Sequence, residues 1–256
     1  MAKQTVHICW LRRDLRLHDN AALYHALKEG IPVIPVFVFD RSILDKLIDK
    51  QDRRVEFIHL AITAMQQQLQ QLGSSLEVFY GFPAEVFQQL AEKYTIKKVF
   101  ANHDYEPYAK ERDEAIQQQL KAAGILFHTC KDQVIFEKDE VVKDDGKPYT
   151  VFTPYSRKWK AKLNEDFLKA YPLEQFSSNF HQQPAQPIPS LAEMGFTPTG
   201  LPFPPSSTQK EIIKQYKDQR DFPAIEGTSR LSVHLRFGTI STVSYTHLRA
   251  HETVLD

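Results

Sequence analysis

The residues best equipped to hold a phosphate lie near the far end of this 256-residue chain. Tyr216 to Ser232 reads Y-K-D-Q-R-D-F-P-A-I-E-G-T-S-R-L-S, with L-R-F-G-T-I-S close behind. Gly227 lets the chain turn, and Thr228, Ser229 and Ser232 offer hydroxyls beside the unpaired amides of a helix start. The helix dipole and Arg230 add positive potential, a combination suited to a dinucleotide pyrophosphate. T-S-R-L-S taken alone reads equally as a serine/threonine helix cap followed by a surface arginine.

Other charged groups cluster at the opposite end. Trp10 to Asn20, W-L-R-R-D-L-R-L-H-D-N, sets three arginines and two aspartates just past a strand. Such a group commonly forms a surface network that fixes a loop, each exposed pair being worth ~0–1 kcal/mol. Ala101 to Asp113, A-N-H-D-Y-E-P-Y-A-K-E-R-D, carries Lys110, Glu111, Arg112 and Asp113 in a row, the pattern of a solvated helix face. Trp159 with Tyr155, Arg157, Lys158 and Lys160 suggests nucleic-acid stacking, or more simply an amphipathic helix anchored by one aromatic. His247 and His251 have the i, i+4 spacing of a metal pair beside Glu252, but no third ligand accompanies them, and no metal site is assigned.

The elements that must position these groups alternate. Thr5–Leu11 reads as a strand, followed by a helix that Asp19 or Asn20 caps and Gly30 ends. Val33–Phe39 is the apolar run of a strand covered on both faces. A helix from Asp52 to Leu72 carries Val55, Ile58, Ala61, Ile62, Met65, Leu69 and Leu72 at helical spacing, with Gly73 at its end. Strands at Leu76–Tyr80, Lys98–Ala101 and Ile125–Cys130 enclose helices at Pro83–Tyr94 and Tyr108–Ala123. This order predicts right-handed crossovers and an α/β domain over 1–135, built on a doubly wound five-stranded parallel sheet whose ligands gather at the carboxyl ends of the strands. No G-x-G-x-x-G accompanies it, so an ordinary nucleotide-binding phosphate loop is missing. A helix is expected from Thr153 to Ala170. Residues 172–208, rich in proline, serine and glutamine, form a linker that cannot pack alone and wraps the first domain. Helices are expected again at Gln209–Asp221 and after Thr228–Ser229, the latter bearing Leu231, Leu235 and Phe237.

Lysine plus arginine equals aspartate plus glutamate at 32 each, so overall charge calls for no polyanionic partner. A DNA-binding surface must be a local patch or lie outside this stretch. Cys9 and Cys130 stand in apolar runs without metal-ligand spacing, as buried thiols of a reducing compartment do. No stretch has the length of a membrane span, and Met1–Gln4 runs directly into a strand pattern; the expectation is a cytoplasmic protein without membrane contact.

The Trp10–Asn20 string resembles the opening signature of the photolyase and cryptochrome family, tryptophan, Arg-x-Asp-Leu-Arg and Asp-Asn included. Tyr216–Ser232 resembles the segment that begins the helical flavin domain of bacterial members. The resemblance covers residues 5 to about 244 and implies a Rossmann-like α/β domain over 1–135, a linker with one helix over 136–208, and the start of an all-α FAD-binding domain over 209–244. Residues 245–256 are polar and lack the family's apolar stripe, which marks them as an atypical, non-native tail. By resemblance Tyr216, Thr228, Ser229, Arg230, Leu231 and Ser232 contact FAD, and Glu111 contacts an antenna chromophore. Lys110 stands where the folate-binding pattern has asparagine, so a deazaflavin, another flavin or no antenna stays open beside folate.

The activity the resemblance implies is light-driven repair of cyclobutane pyrimidine dimers by electron transfer from reduced FAD, that of a deoxyribodipyrimidine photo-lyase. The alternative is a cryptochrome, a blue-light signalling flavoprotein without repair. Damaged DNA is the implied partner and a monomer the implied state. The chain is read as an incomplete portion, inactive by itself, containing no catalytic residue and holding FAD weakly or not at all.

Overall fold

Strand β2, Val33–Asp40, is buried along its whole length, as its uninterrupted apolar run requires of a strand with helices on both faces. In the computed structural model, which describes residues 3–243, it pairs with β1, Thr5–Leu11, on one side and β3, Glu77–Gly81, on the other. β4, Thr95–Asn102, and β5, Leu126–Cys130, complete a parallel sheet of order β3-β2-β1-β4-β5. The doubly wound α/β architecture expected from the sequence is therefore the one observed.

Alternation along β1 divides its side chains between two cores. Val6, Ile8 and Trp10 join Ile34, Val36 and Val38 beneath α4, Pro83–Lys93, and α5, Pro107–Ala122. Cys9 and Leu11 join Val33, Phe37 and Phe39 beneath α1, Ala21–Lys28, and α3, Arg53–Gln71; a short α2, Arg41–Leu44, follows β2. Asn20 caps α1 by accepting from the Leu23 amide at 3.1 Å, and Asp52 caps α3 through the Arg54 amide at 2.8 Å. Gly30 and Gly73 stand just past these helices with positive φ. Leu72, expected on the inner face of α3, is exposed because its position caps the helix with non-helical backbone. Both thiols are buried; burial pushes Cys130 up to about 12 and Cys9 well above its ordinary value, leaving neither as a nucleophile.

The proline-rich stretch does wrap the α/β unit. Leu173, Phe180, Met194 and Phe196 enter the core shared with α1 and α3. Its backbone is tied down as well: the His181 amide donates to Val33 O at 2.9 Å, and the Gln186 amide to Ser75 Oγ at 2.8 Å.

Two expected helices are shorter than their patterns suggest. α6 spans Phe152–Lys162, not Thr153–Ala170, because Leu163 is extended and Asn164 caps a new 3-10 turn, Glu165–Leu168, by accepting from the Asp166 amide at 3.0 Å. The helix expected over Gln209–Asp221 is broken at Gln215 into α7, Lys210–Lys214, and α8, Tyr216–Gln219. Neither piece has a buried residue, so no packing face holds the turn at Gln215 in helical form. A further helix, α9, spans Ser232–Phe237.

Candidate cofactor site

Where β1 ends, the Arg/Asp string folds into a buried network instead of the exposed one its charges suggest. The Asp14 carboxylate accepts from the Arg12 amide at 2.7 Å, Asn102 Nδ2 at 2.6 Å and Asn20 Nδ2 at 3.1 Å. Asn102, the last residue of β4, accepts in turn from the Ala22 amide at 2.9 Å, so one side chain joins two strand ends to the start of α1. Arg12 pairs with both oxygens of Asp113 at 2.8 Å and donates to Asn102 O. Arg12 and Arg112 both lie over Trp10, at 4.7 and 4.8 Å from its ring. Burial lowers the Arg12 guanidinium from its ordinary value, and Asp113 opposes that shift.

Arg16 carries the network outward. It donates to both oxygens of Asp132 at 2.8 Å, to Asp19 O at 2.6 Å and to Gly238 O at 3.2 Å. Burial raises the Asp132 carboxyl while Arg16 opposes it. Asp19, at positive φ, accepts from the Tyr171 amide at 2.8 Å through one oxygen and from Ser241 Oγ through the other. Gly238 ends α9 at φ +63°, and a Cβ there would fall 2.7 Å from Asp14 Cα. The string thus joins the α/β sheet to the linker and to the segment after α9.

That segment contains the expected phosphate-binding residues. The structure brings Thr228, Ser229, Arg230, Leu231 and Ser232 together as one turn leading into α9, with Tyr216 on the preceding α8. Gly227 binds the two: a Cβ on it would lie 2.5 Å from Gln219 Cβ. Thr228 and Ser229 do not cap α9 as expected. Leu231 holds the cap position without a side-chain bond, and Ser229 Oγ accepts only a long 3.5 Å contact from the Leu231 amide. Thr228, Arg230 and Ser232 are exposed, whereas Leu231 is buried beneath them. Arg230 adopts a left-handed backbone at φ +52° and meets Glu226 at 3.0 Å. A nearby cavity of about 340 Å³ is lined by Phe57, Met65, Phe203, His234 and Thr239 and by none of residues 228–232.

Glu111 is exposed on α5, as is Lys110. Arg112 and Asp113 turn inward to Trp10 and Arg12, so the row of four charges is half solvated face and half network. Beyond the β4 end, His103 Nδ1 lies 2.7 Å from Glu137 Oε2, which also accepts from Tyr105 at 2.6 Å. His247, His251 and Glu252 lie outside the described residues, as does the tail over 245–256. Among the described residues no group of three His, Cys, Asp or Glu side chains is arranged to hold a metal. No described helix is long and apolar enough to cross a membrane.

The sequence model of the DNA photolyase family matches residues 7–175, from β1 through the linker's first core contact. The chain belongs to the DNA photolyase family. A deoxyribodipyrimidine photo-lyase of Synechococcus is 34% identical over 247 residues, covering 90% of this chain and 51% of the relative. The crystal structure of a bacterial class III photolyase from Agrobacterium tumefaciens superposes with a TM-score of 0.78 at 25% identity, over 97% of this chain and 53% of the other. An archaeal photolyase from Sulfolobus tokodaii, solved with two FAD molecules, superposes at 0.71 with 26% identity, over 98% and 56%. The chain spans about half the length of the curated photolyases it matches.

For this photolyase-family chain the turn at 228–232 fits a flavin diphosphate in chemistry: hydroxyls and a guanidinium face solvent, with no Cβ at residue 227 to hold α8 away. The groups missed by reading the sequence are Asn102, Asp113, Asp132 and Gly238. A polar residue at the carboxyl end of a predicted strand was the available signal for Asn102 and Asp132.

Proposed function

We propose that the protein to which this chain belongs repairs cyclobutane pyrimidine dimers in DNA with light, by passing an electron from reduced FAD to the dimer. The support is the family membership together with curated relatives from Synechococcus and Halobacterium salinarum named deoxyribodipyrimidine photo-lyase, 34% and 32% identical. In this reading Thr228, Ser229, Ser232 and Arg230 receive the FAD diphosphate, Tyr216 and Leu231 border the cofactor, and Glu111 faces an antenna chromophore. FAD supplies the redox chemistry; the chain's own groups bind and orient it. Residues 1–135 are the antenna-bearing unit, 136–208 the connecting segment and 209–244 the first part of the flavin domain, in a monomer acting on damaged DNA.

The test is expression of the gene, read through to its stop codon, followed by illumination with dimer-containing duplex. The expected result is a yellow protein that restores the DNA under blue light and not in the dark. A flavin-bearing product that leaves dimers intact overturns the repair reading in favour of signalling. A colourless product whose nucleotide affinity is unmoved by S229A and R230A overturns the flavin site.

A further inference from the structure

The two ends of α9 are held differently. At its amino end Leu231 caps without a side-chain bond, and Thr228, Arg230 and Ser232 are exposed. A helix leaves its last carbonyls without partners of its own, and at the carboxyl end of α9 the loop after β1 supplies them. Arg13 Nε donates to Arg236 O at 3.3 Å, the Leu15 amide to Phe237 O at 3.1 Å and Arg16 Nη1 to Gly238 O at 3.2 Å. The two arginines stand 223 and 222 residues from these acceptors, so the cap belongs to the α/β unit and not to the helix's own neighbours. Each guanidinium is itself fixed: Arg16 by Asp132 at 2.8 Å, Arg13 by Asp104 at 3.2 Å and Glu106 at 3.0 Å. Glu106 also accepts from Arg236 Nη2 at 2.6 Å, which ties a side chain of α9 to the start of α5. Midway along the helix, buried His234 donates through Nε2 to Pro204 O at 2.9 Å.

A helix of six residues is about 9 Å long and too short to bend between its ends, so a shift at Phe237 is passed on to residues 228–232. Two guanidinium charges at the carboxyl end also favour this placement, because they face the negative pole of the helix. Contacts at Arg236, Phe237 and Gly238, more than bonds within the turn, therefore decide where the hydroxyls of Thr228, Ser229 and Ser232 stand. On the flavin reading of those residues, on which the assignment rests, we propose that Arg13 and Arg16 are positioning residues for FAD. Acting through α9, they clamp its carboxyl end to the α/β unit and so aim the turn at the cofactor's diphosphate.

The experiment compares R13A and R13K with the parent at two levels, Arg13 being chosen because Arg16 also holds the buried hub. In the 256-residue chain, hydrogen exchange read by mass spectrometry should be about tenfold faster over residues 231–239 in R13A, with peptides of β1 and β4 unchanged and R13K close to the parent. In the intact gene product, titration of the flavin-stripped protein with FAD should show binding about tenfold weaker in R13A, a loss expected when a binding group is displaced and not removed. Combination with R230A separates positioning from general stability. If Arg13 acts by placing the turn, R13A should cost only about threefold or less once Arg230 is gone, whereas independent effects multiply in full. Unchanged exchange over 231–239, or full multiplication in R13A/R230A, overturns the proposal. E106A, which removes a carboxylate orienting Arg13, should shift exchange over 231–239 in the same direction, and it carries the test if circular dichroism shows R13A unfolded; no shift there overturns the proposal equally. A parent gene product that binds no FAD sinks the flavin reading, while faster exchange in R13A would still show that residue 13 places the turn.

Discussion

The Arg16 guanidinium and the Asp132 carboxylate face each other at 2.8 Å with side chains 5% and 2% exposed, 116 residues apart in sequence. They are the point at which the first β-strand loop, the segment after β5 and the turn after α9 are held together. A pair this far from water depends on each partner to compensate the other's lost hydration.

Removing one partner should therefore cost more than removing both. D132A leaves a buried guanidinium without its counterion and is expected to lose ~3–5 kcal/mol. R16A/D132A should cost less than the sum of the single variants by at least ~1 kcal/mol. Urea unfolding of the four proteins measures this; strict additivity would mean that the pair is not energetically coupled.

Gly238 and Gly30 both have positive φ, at +63° and +76°, but differ in surroundings. A Cβ at Gly30 meets open space, whereas one at Gly238 meets Arg13 and Asp14 backbone. G30A should cost ~1–2 kcal/mol, the price of a left-handed alanine. G238A should cost more and loosen the contact where the Leu15 amide donates to Phe237 O at 3.1 Å. Thermal unfolding with limited proteolysis around α9 separates the two; equal losses would show that the close approach contributes nothing.

His7 is wholly buried in β1, with Nε2 3.1 Å from Glu29 Oε2 but without hydrogen-bond alignment. Burial lowers its affinity for a proton, Glu29 opposing. The native state therefore binds fewer protons here than the unfolded chain does, so stability present above about pH 6.5 is lost as pH falls toward the depressed folded value. H7L should flatten the slope of stability against pH below 6.5 by up to about one proton. An unchanged slope in denaturant unfolding at pH 5.5 and 7.5 would place the acid sensitivity elsewhere.

Arg230 holds a left-handed backbone at φ +52° on an exposed turn. Glycine adopts that conformation without steric penalty, so R230G should keep or raise thermal stability by up to ~1 kcal/mol. In the flavin-bearing gene product the same change should weaken FAD retention, because strain kept at a residue is retained where function needs its side chain. Loss of stability together with unchanged flavin content would make Arg230 a structural residue only.

Much of the architecture was legible from local pattern. The uninterrupted Val33–Phe39 run, the 3.6-residue spacing of Val55, Ile62, Met65 and Leu69, and the glycines at 30 and 73 each act within one element, so neighbouring residues suffice to specify them. The Tyr216–Ser232 run likewise kept its residues together in one region, since a tight turn is a local structure. Where the pattern misled, at Leu163 and Gln215, helix termination turned on a competing cap and on packing that never formed.

Sequence by itself determined the strand and helix order, the two-faced burial of the sheet and the presence of a hydroxyl-rich turn after Gly227. Tertiary structure alone decided that Arg12, Asp14, Arg16 and Asp19 form a buried hub. Their partners Asp113, Asn102, Asp132, Tyr171 and Ser241 come from distant segments, and no spacing rule links residue 16 to residue 132 or residue 19 to residue 241. The reason is physical: hydrophobic periodicity is written along the chain, whereas the cost of burying a charge is met only by whatever partner the folded sheet brings alongside it.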